Sequence, residues 1–444
     1  MADDGFLARV RIPGGLLSVE QARALAGVAG RLGDGMLHLT SRGNVQLRGL
    51  RDGCGGELAE VLGAAGLLPS AAHERVRNVV ASPMSGLDGR GFVDVREWLT
   101  GLDAALCASS VTPELSGRFL FALDDGRGDV AGLGADVLVR GLPSGDAEVS
   151  VGEVRFRVPF GGAAVAAVAV AEVFVAAARG VAGRVWRVAE LGLSSGELER
   201  LLAGHPWLTS RGAAPDPAPQ SPAGLDFGHP PQGPDDAHPA QGLDDTHPAL
   251  RSRGAAPDPA AQSPQGLEFA HPPAGLDGAR PAAGLDFARP AAGLEFARPV
   301  AGLEVARSVV GVPFGAIGGG QWRALVDLAD RLPARELRLT PWRGVVVPGA
   351  TPEQIDRLAD TGLVSDPTSP WNRVAACIGR PGCAKSHADV RGEAAARIDE
   401  AHPDLPTYWS GCERRCGHPV GPYVDVVAQP GGGYTTTVPH HTES

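Results

Sequence analysis

LHLTSRGNVQL at residues 37–47 returns 300 positions later as LRLTPWRGVVV at residues 337–347. The same offset relates the openings, VRIPGG from Val10 and VGVPFG from Val310. Between opening and echo each copy carries apolar residues at i, i+3 and i+4 spacing, in VEQARALAGVAGRL (19–32) and GQWRALVDLADRL (320–332), which predicts an amphipathic helix. A second amphipathic stretch closes each copy, ELAEVLGAAGLLPS at 57–70 and QIDRLADTGLVSDP at 354–367. Each unit therefore reads β-α-β-α. Two similar α/β half-domains are expected to pair about a pseudo-twofold axis.

The correspondence continues, because RNVVASP at 77–83 aligns with NRVAACI at 372–378. Ser82 then stands where Cys377 stands in the second copy. Only one copy carries thiols, so one metal centre is expected beside the axis, the other copy supplying groups that hold a substrate.

Composition bounds the rest. A chain of 444 residues with 43% hydrophobic content has room for several domains, and no apolar run approaching the ~20 residues of a membrane span is apparent. The start, MADDGFLARVRIPGG, lacks a basic segment followed by an apolar one, which points to the cytoplasm. There thiols stay reduced. A net charge of −11 argues against non-specific nucleic-acid binding. Lys385 is the only lysine, so arginine carries nearly all the positive charge.

Between Ser210 and Ser308 the composition changes abruptly. Nine-residue units recur there, GLDFARPAA at 284, GLEFARPVA at 293 and GLEVARSVV at 302, and LTSRGAAPDPAPQSP (208–222) returns as LRSRGAAPDPAAQSP (250–264). A proline in nearly every unit with one or two apolar side chains cannot bury a core. A long disordered Pro/Gly/Ala-rich insert is expected over 209–308, with a short disordered tail over 431–444.

Four of the six cysteines fall in one short window as Cys377-x5-Cys383 and Cys412-x3-Cys416. Four thiolates from two loops suit a tetrahedral zinc or an iron–sulfur cube. These arms are wider than most zinc knuckles, which favours the cube. Cys54 and Cys107 have no partners in sequence and read as isolated thiols.

TSRGNVQLRG (40–49), RVRNVVASPMSG (75–86), ACIGRPGC (376–383) and SGCERRCGHP (410–419) together resemble the sulfite and nitrite reductase superfamily, and within it the precorrin-3B synthase family. The resemblance implies an α+β chain of duplicated ferredoxin-like half-domains (1–72 and 309–368) with two α/β domains, a substrate-side one (73–208) and a cluster one (369–430). It implies a [4Fe-4S] cluster on Cys377, Cys383, Cys412 and Cys416. It also implies precorrin-3A and O2 as substrates, hydroxylation with lactone formation in aerobic cobalamin biosynthesis, and an electron donor such as a ferredoxin or an NAD(P)H-linked reductase. Membrane partners are not expected. The alternatives are a sirohaem-dependent sulfite or nitrite reductase and a zinc-stapled tetrapyrrole-binding protein without turnover.

A tetrapyrrole of this type carries acetate and propionate groups, and arginine's planar fork suits carboxylates. By resemblance Arg42, Arg77 and Arg118 face the macrocycle. Asn44 and Gln46 alternate with Val45 and Leu47 and would share a face with Arg42. The reductases carry basic-aromatic-basic where this chain reads Arg118-Phe119-Leu120, so the second cation is missing. A mononuclear non-haem iron is a further possibility implied by the resemblance, with pieces at His38, His387, His418, Asp389 and Glu413.

Overall fold

The computed structural model describes residues 4–181, 183–208, 308–419 and 421–438. The repeat insert expected at 209–308 and the end of the tail from 439 lie outside the described residues, save for Ser308, whereas Tyr434–Thr437, expected in the disordered tail, forms a strand paired with Val424–Ala428.

The first half-domain runs β1 (Phe6–Val10), β2 (Leu16–Ser18), α1 (Val19–Leu32), β3 (Met36–Leu39), β4 (Val45–Leu50) and α2 (Gly55–Ala64). An α/β layer follows, with β5 (Val79–Ala81), α3 (Arg96–Ala108), β6 (Phe121–Asp124), β7 (Val137–Gly141), β8 (Ala147–Val151), β9 (Val154–Val158), α4 (Ala163–Arg179) and α5 (Ser195–Ala203). The second half-domain repeats the first as β10 (Val309–Gly311), β11 (Ala316–Gly318), α6 (Gly319–Asp330), β12 (Glu336–Leu339), β13 (Gly344–Val346) and α7 (Pro352–Ala359). The last layer holds β14 (Val374–Ala376), α8 (Val390–Ala396), β15 (Thr407–Ser410), β16 (Val424–Ala428) and β17 (Tyr434–Thr437).

Each half-domain has two strands more than β-α-β-α allows, because its second β segment is a hairpin (β3–β4 or β12–β13) and a further short strand precedes its first helix. Those short strands, β2 and β11, are three residues long and leave their own copy to join the other sheet. One sheet has the order β1-β4-β3-β11 and the other β10-β13-β12-β2. Ile317 pairs with Leu37 and Leu17 with Leu337, both antiparallel. The exchange needs a sharp bend after β1, supplied by Pro13-Gly14-Gly15 with both glycines left-handed (φ 61° and 72°). A Cβ on Gly15 would lie 2.0 Å from the carbonyl oxygen of Leu339, so glycine is obligatory there.

Helix α1 begins with a capping box: Ser18 Oγ accepts from Gln21 N at 3.2 Å, and Gln21 Oε1 accepts from Ser18 N at 3.0 Å. Its buried stripe, Val19, Ala22, Leu25, Val28 and Leu32, faces one core shared by both half-domains. Trp322 on α6 is fully buried there and donates its indole N–H to the carbonyl of Ala22 at 2.8 Å. With the helices on one side, strand alternation leaves a polar face on the other. Arg9 lies opposite Gln46, and Gln46 opposite His38, while Ala8, Val10, Leu37, Leu39, Val45 and Leu47 point into the core.

The α/β layers are likewise related. β5-β6-β7 are parallel and extend into antiparallel β8 and β9; β14-β15-β16 are parallel and end in antiparallel β17. Contrary to the sequence expectation, one stretch, Phe160–Arg179, is long and apolar enough by length and composition to cross a bilayer. Within it, α4 buries nine residues, including Val168, Phe174 and Val175, in the core of its own layer.

Trp322→Ala removes a fully buried ring and the donor to α1. Loss of roughly 3–5 kcal/mol of stability is expected, read as a lower denaturant midpoint; a midpoint within error of the parent shows that the helix pair does not depend on it.

Candidate functional site

The two α/β layers present the same loop geometry with different chemistry. Cys377 follows β14, and its N–H bonds the carbonyl of Trp409 at 2.9 Å; Ser82 follows β5, and its N–H bonds the carbonyl of Leu123 at 2.9 Å. The Cys377 Sγ accepts from Gly411 N at 3.2 Å, and the Ser82 Oγ accepts from Asp125 N at 3.2 Å. The hydroxyl thus occupies the thiol's position in the other copy.

Cys383 and Cys416 lie within electrostatic reach of Cys377. All six cysteines are free thiols. Burial pushes the Cys377 thiol up, the N–H groups of Gly411 and Gly379 oppose this, and the charges of Cys383 and Cys416 push it further. Cys412 follows Gly411 directly, and its carbonyl accepts from Arg415 N at 3.2 Å, closing the loop that ends at Cys416. Tyr408 donates its hydroxyl to the Cys416 carbonyl. The Cys383 loop is tied to the first half-domain by Arg48 on β4, which donates to the Gly382 carbonyl at 2.9 Å and holds Asp4 bidentately at 2.8 and 3.0 Å. No three His, Cys, Asp or Glu side chains among the described residues converge on the position of a single ion.

The pieces considered for a mononuclear iron are therefore not assembled. His38 has only Asp34 at 3.5 Å, His418 stacks on Tyr423, Asp389 caps α8 through Gly392 N at 3.0 Å, and Glu413 pairs with Arg415 at 2.6 Å. His387 is exposed.

A second cluster of charge lies at the β3–β4 turn. Arg42 and Arg11 both donate to the Gly117 carbonyl, at 3.4 and 3.3 Å. Burial pushes the Arg11 guanidinium down to about 10, with Arg42's charge adding to the effect. Arg42 is pushed down by burial and then by Arg187, with Arg9 and Arg118 contributing and Asp136 opposing, as Glu74 opposes the shift of Arg11. Arg118 lies over the Trp186 ring at 4.3 Å, and Arg187 pairs with Asp136 at 2.6 Å. Five guanidiniums repel one another in a half-buried space, which makes that space attractive to anions.

Two residues expected in the pocket are engaged elsewhere. Arg77 is buried, clamps Asp103 at 2.6 and 2.8 Å and donates to the Leu67 carbonyl at 3.1 Å, so its guanidinium is engaged inside the fold. Asn44 is also buried, accepting from Ile12 N at 2.8 Å and donating to Asn78 at 3.2 Å, which fixes the turn that carries Arg42. Gln46 keeps its place on the polar face between Arg9 and His38. Sequence reasoning passed over Arg9, Arg11, Arg187 and Trp186. Arg9 and Arg11 alternate with core residues on and after β1, a signal the strand period carries; Arg187 and Trp186 come from a distant loop with no motif.

Among known families, the description "Nitrite/Sulfite reductase ferredoxin-like half domain" matches residues 1–65 and 309–361, the two copies that exchange strands. Both half-domains are thus similar to the half-domain of the nitrite and sulfite reductases. A ferredoxin–nitrite reductase of Synechococcus elongatus is 38% identical over 128 residues, 28% of this chain and 25% of that protein. A precorrin-3B synthase of Sinorhizobium sp is 33% identical over 123 residues, 28% of this chain and 26% of that protein. The chain thus spans about a quarter of the length of these curated relatives. The solved structure of the Mycobacterium tuberculosis NirA protein shares the fold with a TM-score of 0.63 at 18% identity, over 97% of this chain and 73% of NirA.

The copy without thiols closes its loop with carboxylates. Ser82 donates to Asp129 at 2.6 Å, Arg127 clamps Asp88 at 2.8 and 2.9 Å and Asp125 at 2.9 and 2.7 Å, and Asp124 accepts from Gly126 and Gly128 N–H at 2.8 and 2.9 Å. Burial pushes the Asp129 carboxyl up to about 7, with Asp124 adding to it and Ser82 opposing. The folded chain then keeps a proton that the unfolded chain releases near 3.8, so stability falls as pH rises from about 4 to about 7. Asp129→Asn should flatten that part of the stability–pH curve. An unchanged slope in the variant shows that the carboxyl is ionised in the fold.

Proposed function

We propose that the chain is a cytoplasmic iron–sulfur oxidoreductase of the precorrin-3B synthase type, in which a metal-free tetrapyrrole is the substrate. Cys377, Cys383, Cys412 and Cys416 would hold a [4Fe-4S] cluster. The donor set supports this: four free thiols from two loops, three of them within reach of one another's charge, with backbone N–H groups directed at Cys377.

Strand β4 relates the two clusters of chemistry. Arg42 lies in the turn before it and Arg48 six residues on, up to ~20 Å along the chain at ~3.3 Å per residue. Arg9, Gln46 and His38 form a polar floor between them. Such a shelf suits a large flat ring whose rim carboxylates meet Arg42, Arg118, Arg9, Arg11 and Arg187 at one end. Each charge-assisted hydrogen bond there is worth ~1.5–3 kcal/mol.

Position 120 carries the choice against the reductases. Leu120 is 2% exposed and packs with Val80, Ala122 and Val130, so it cannot present a cation. Arg118 alone remains, leaning on Trp186. A site that reduces a small oxyanion needs fixed positive charge where negative charge develops, whereas a site that anchors a polycarboxylate ring needs its guanidiniums at the rim. When bound, the cluster would pass electrons singly from a ferredoxin or an NAD(P)H-linked reductase. One oxygen atom of O2 would enter the ring and the other leave as water, consuming two electrons and two protons.

Anaerobic incubation of the reduced protein with precorrin-3A, followed by 18O2, should give a product heavier by one labelled oxygen in mass spectrometry. Unlabelled precorrin-3A together with turnover of nitrite or sulfite would assign the protein to the reductases instead.

A further inference from the structure

Among the described residues, two cations beside the thiol loops have no acid bonded to them. Arg343, in the β12–β13 turn, is held in the left-handed region at φ 62°, where the first copy has Gly43 at φ 65°. Glycine adopts that conformation at no steric penalty and arginine does not, so the side chain is retained against the preference of the backbone. Its guanidinium makes no hydrogen bond or ion pair among the described residues, and burial pushes it down with only Tyr408 opposing. Arg391, on α8, donates through Nε to the Cys377 carbonyl at 3.2 Å. Burial pushes it down to about 10, Arg343 and Arg48 push it further, and Cys377 opposes.

The groups facing this pair from the other elements are few. Tyr408 on β15 is raised by burial, with Arg343 and Arg391 lowering it and Cys377 and Cys416 raising it. His38 on β3 is held down by burial and by Arg391. Arg48 already has Asp4. Two neighbouring half-buried guanidiniums with no carboxylate bonded to either among the described residues call for an anion, and Arg391 bonds the carbonyl of the thiol residue Cys377 itself.

We infer that Arg343 and Arg391 are positioning residues that supply the counter-charge of the iron–sulfur core, favouring its reduced state and so setting the potential at which it accepts an electron. This rests on the cluster assignment above. Each electron added to the core adds a negative charge, and a fixed cation in a poorly solvated site stabilises the reduced form more than the oxidised one. Loss of one guanidinium lowers the potential.

The test uses the full chain with its cluster reconstituted anaerobically, as parent, Arg343→Gln, Arg343→Lys and Arg391→Gln. Iron and acid-labile sulfide are measured first; a parent that takes up neither overturns the cluster assignment itself. With cluster content equal, dye-mediated titration followed by the spectrum of the reduced cluster should place either Gln variant lower, by about 59 mV for a tenfold weaker preference for the electron. Arg343→Lys should recover most of the shift. Full cluster content with an unmoved potential in both Gln variants overturns the inference, all the more if Arg343→Gln instead weakens tetrapyrrole binding.

Discussion

The exchange of two three-residue strands between the half-domains is the constraint on which the rest depends. β2 and β11 each complete the other copy's sheet, so neither half-domain closes its sheet alone. The exchange places both helix layers against one core, in which Trp322 reaches the Ala22 carbonyl. It leaves a polar face on each sheet and sends the chain out of each half-domain into an α/β layer beside it. Everything chemical in the molecule is displayed from that frame.

From it, two arginines bind the α/β layers to the sheets in corresponding ways. Arg48 on β4 reaches the Gly382 carbonyl in the thiol loop, and Arg338 on β12 reaches the carbonyls of Pro83 and Ser85, at 3.0 and 2.7 Å, in the loop that lacks thiols. The symmetry is architectural and the chemistry is not. Where one copy gathers sulfur, the other gathers Ser82, Asp129 and the Arg127 clamp. The duplicated scaffold thus carries thiols on one side and carboxylates on the other, and the guanidinium cluster beside Gly117 gives the neighbouring surface its positive charge.

Much of this was legible in the sequence because it repeats at a fixed offset. The 300-residue register predicted the paired half-domains, and the RNVVASP and NRVAACI segments that follow predicted the alignment of Ser82 with Cys377, which the matching hydrogen bonds to Leu123 and Trp409 reproduce. The strands β2 and β11 were not legible, since three residues before a helix carry too little alternation to separate a strand from a helix start. Phe160–Arg179 escaped notice because Glu172 and Arg179 interrupt a run made largely of alanine and valine. Arg77 and Asn44 sit in motifs that resemble a binding site, yet Asp103 and Asn78, remote in sequence, decide what their side chains do. Arg343 has the opposite history: its left-handed backbone is a property of three-dimensional structure and leaves no mark in the one-letter code.

The account turns on sulfurs from two loops sharing one inorganic core. The most direct measurement is the metal and acid-labile sulfide content of the anaerobically purified chain. About four irons with about four sulfides per chain is the predicted result, and one zinc without sulfide contradicts it.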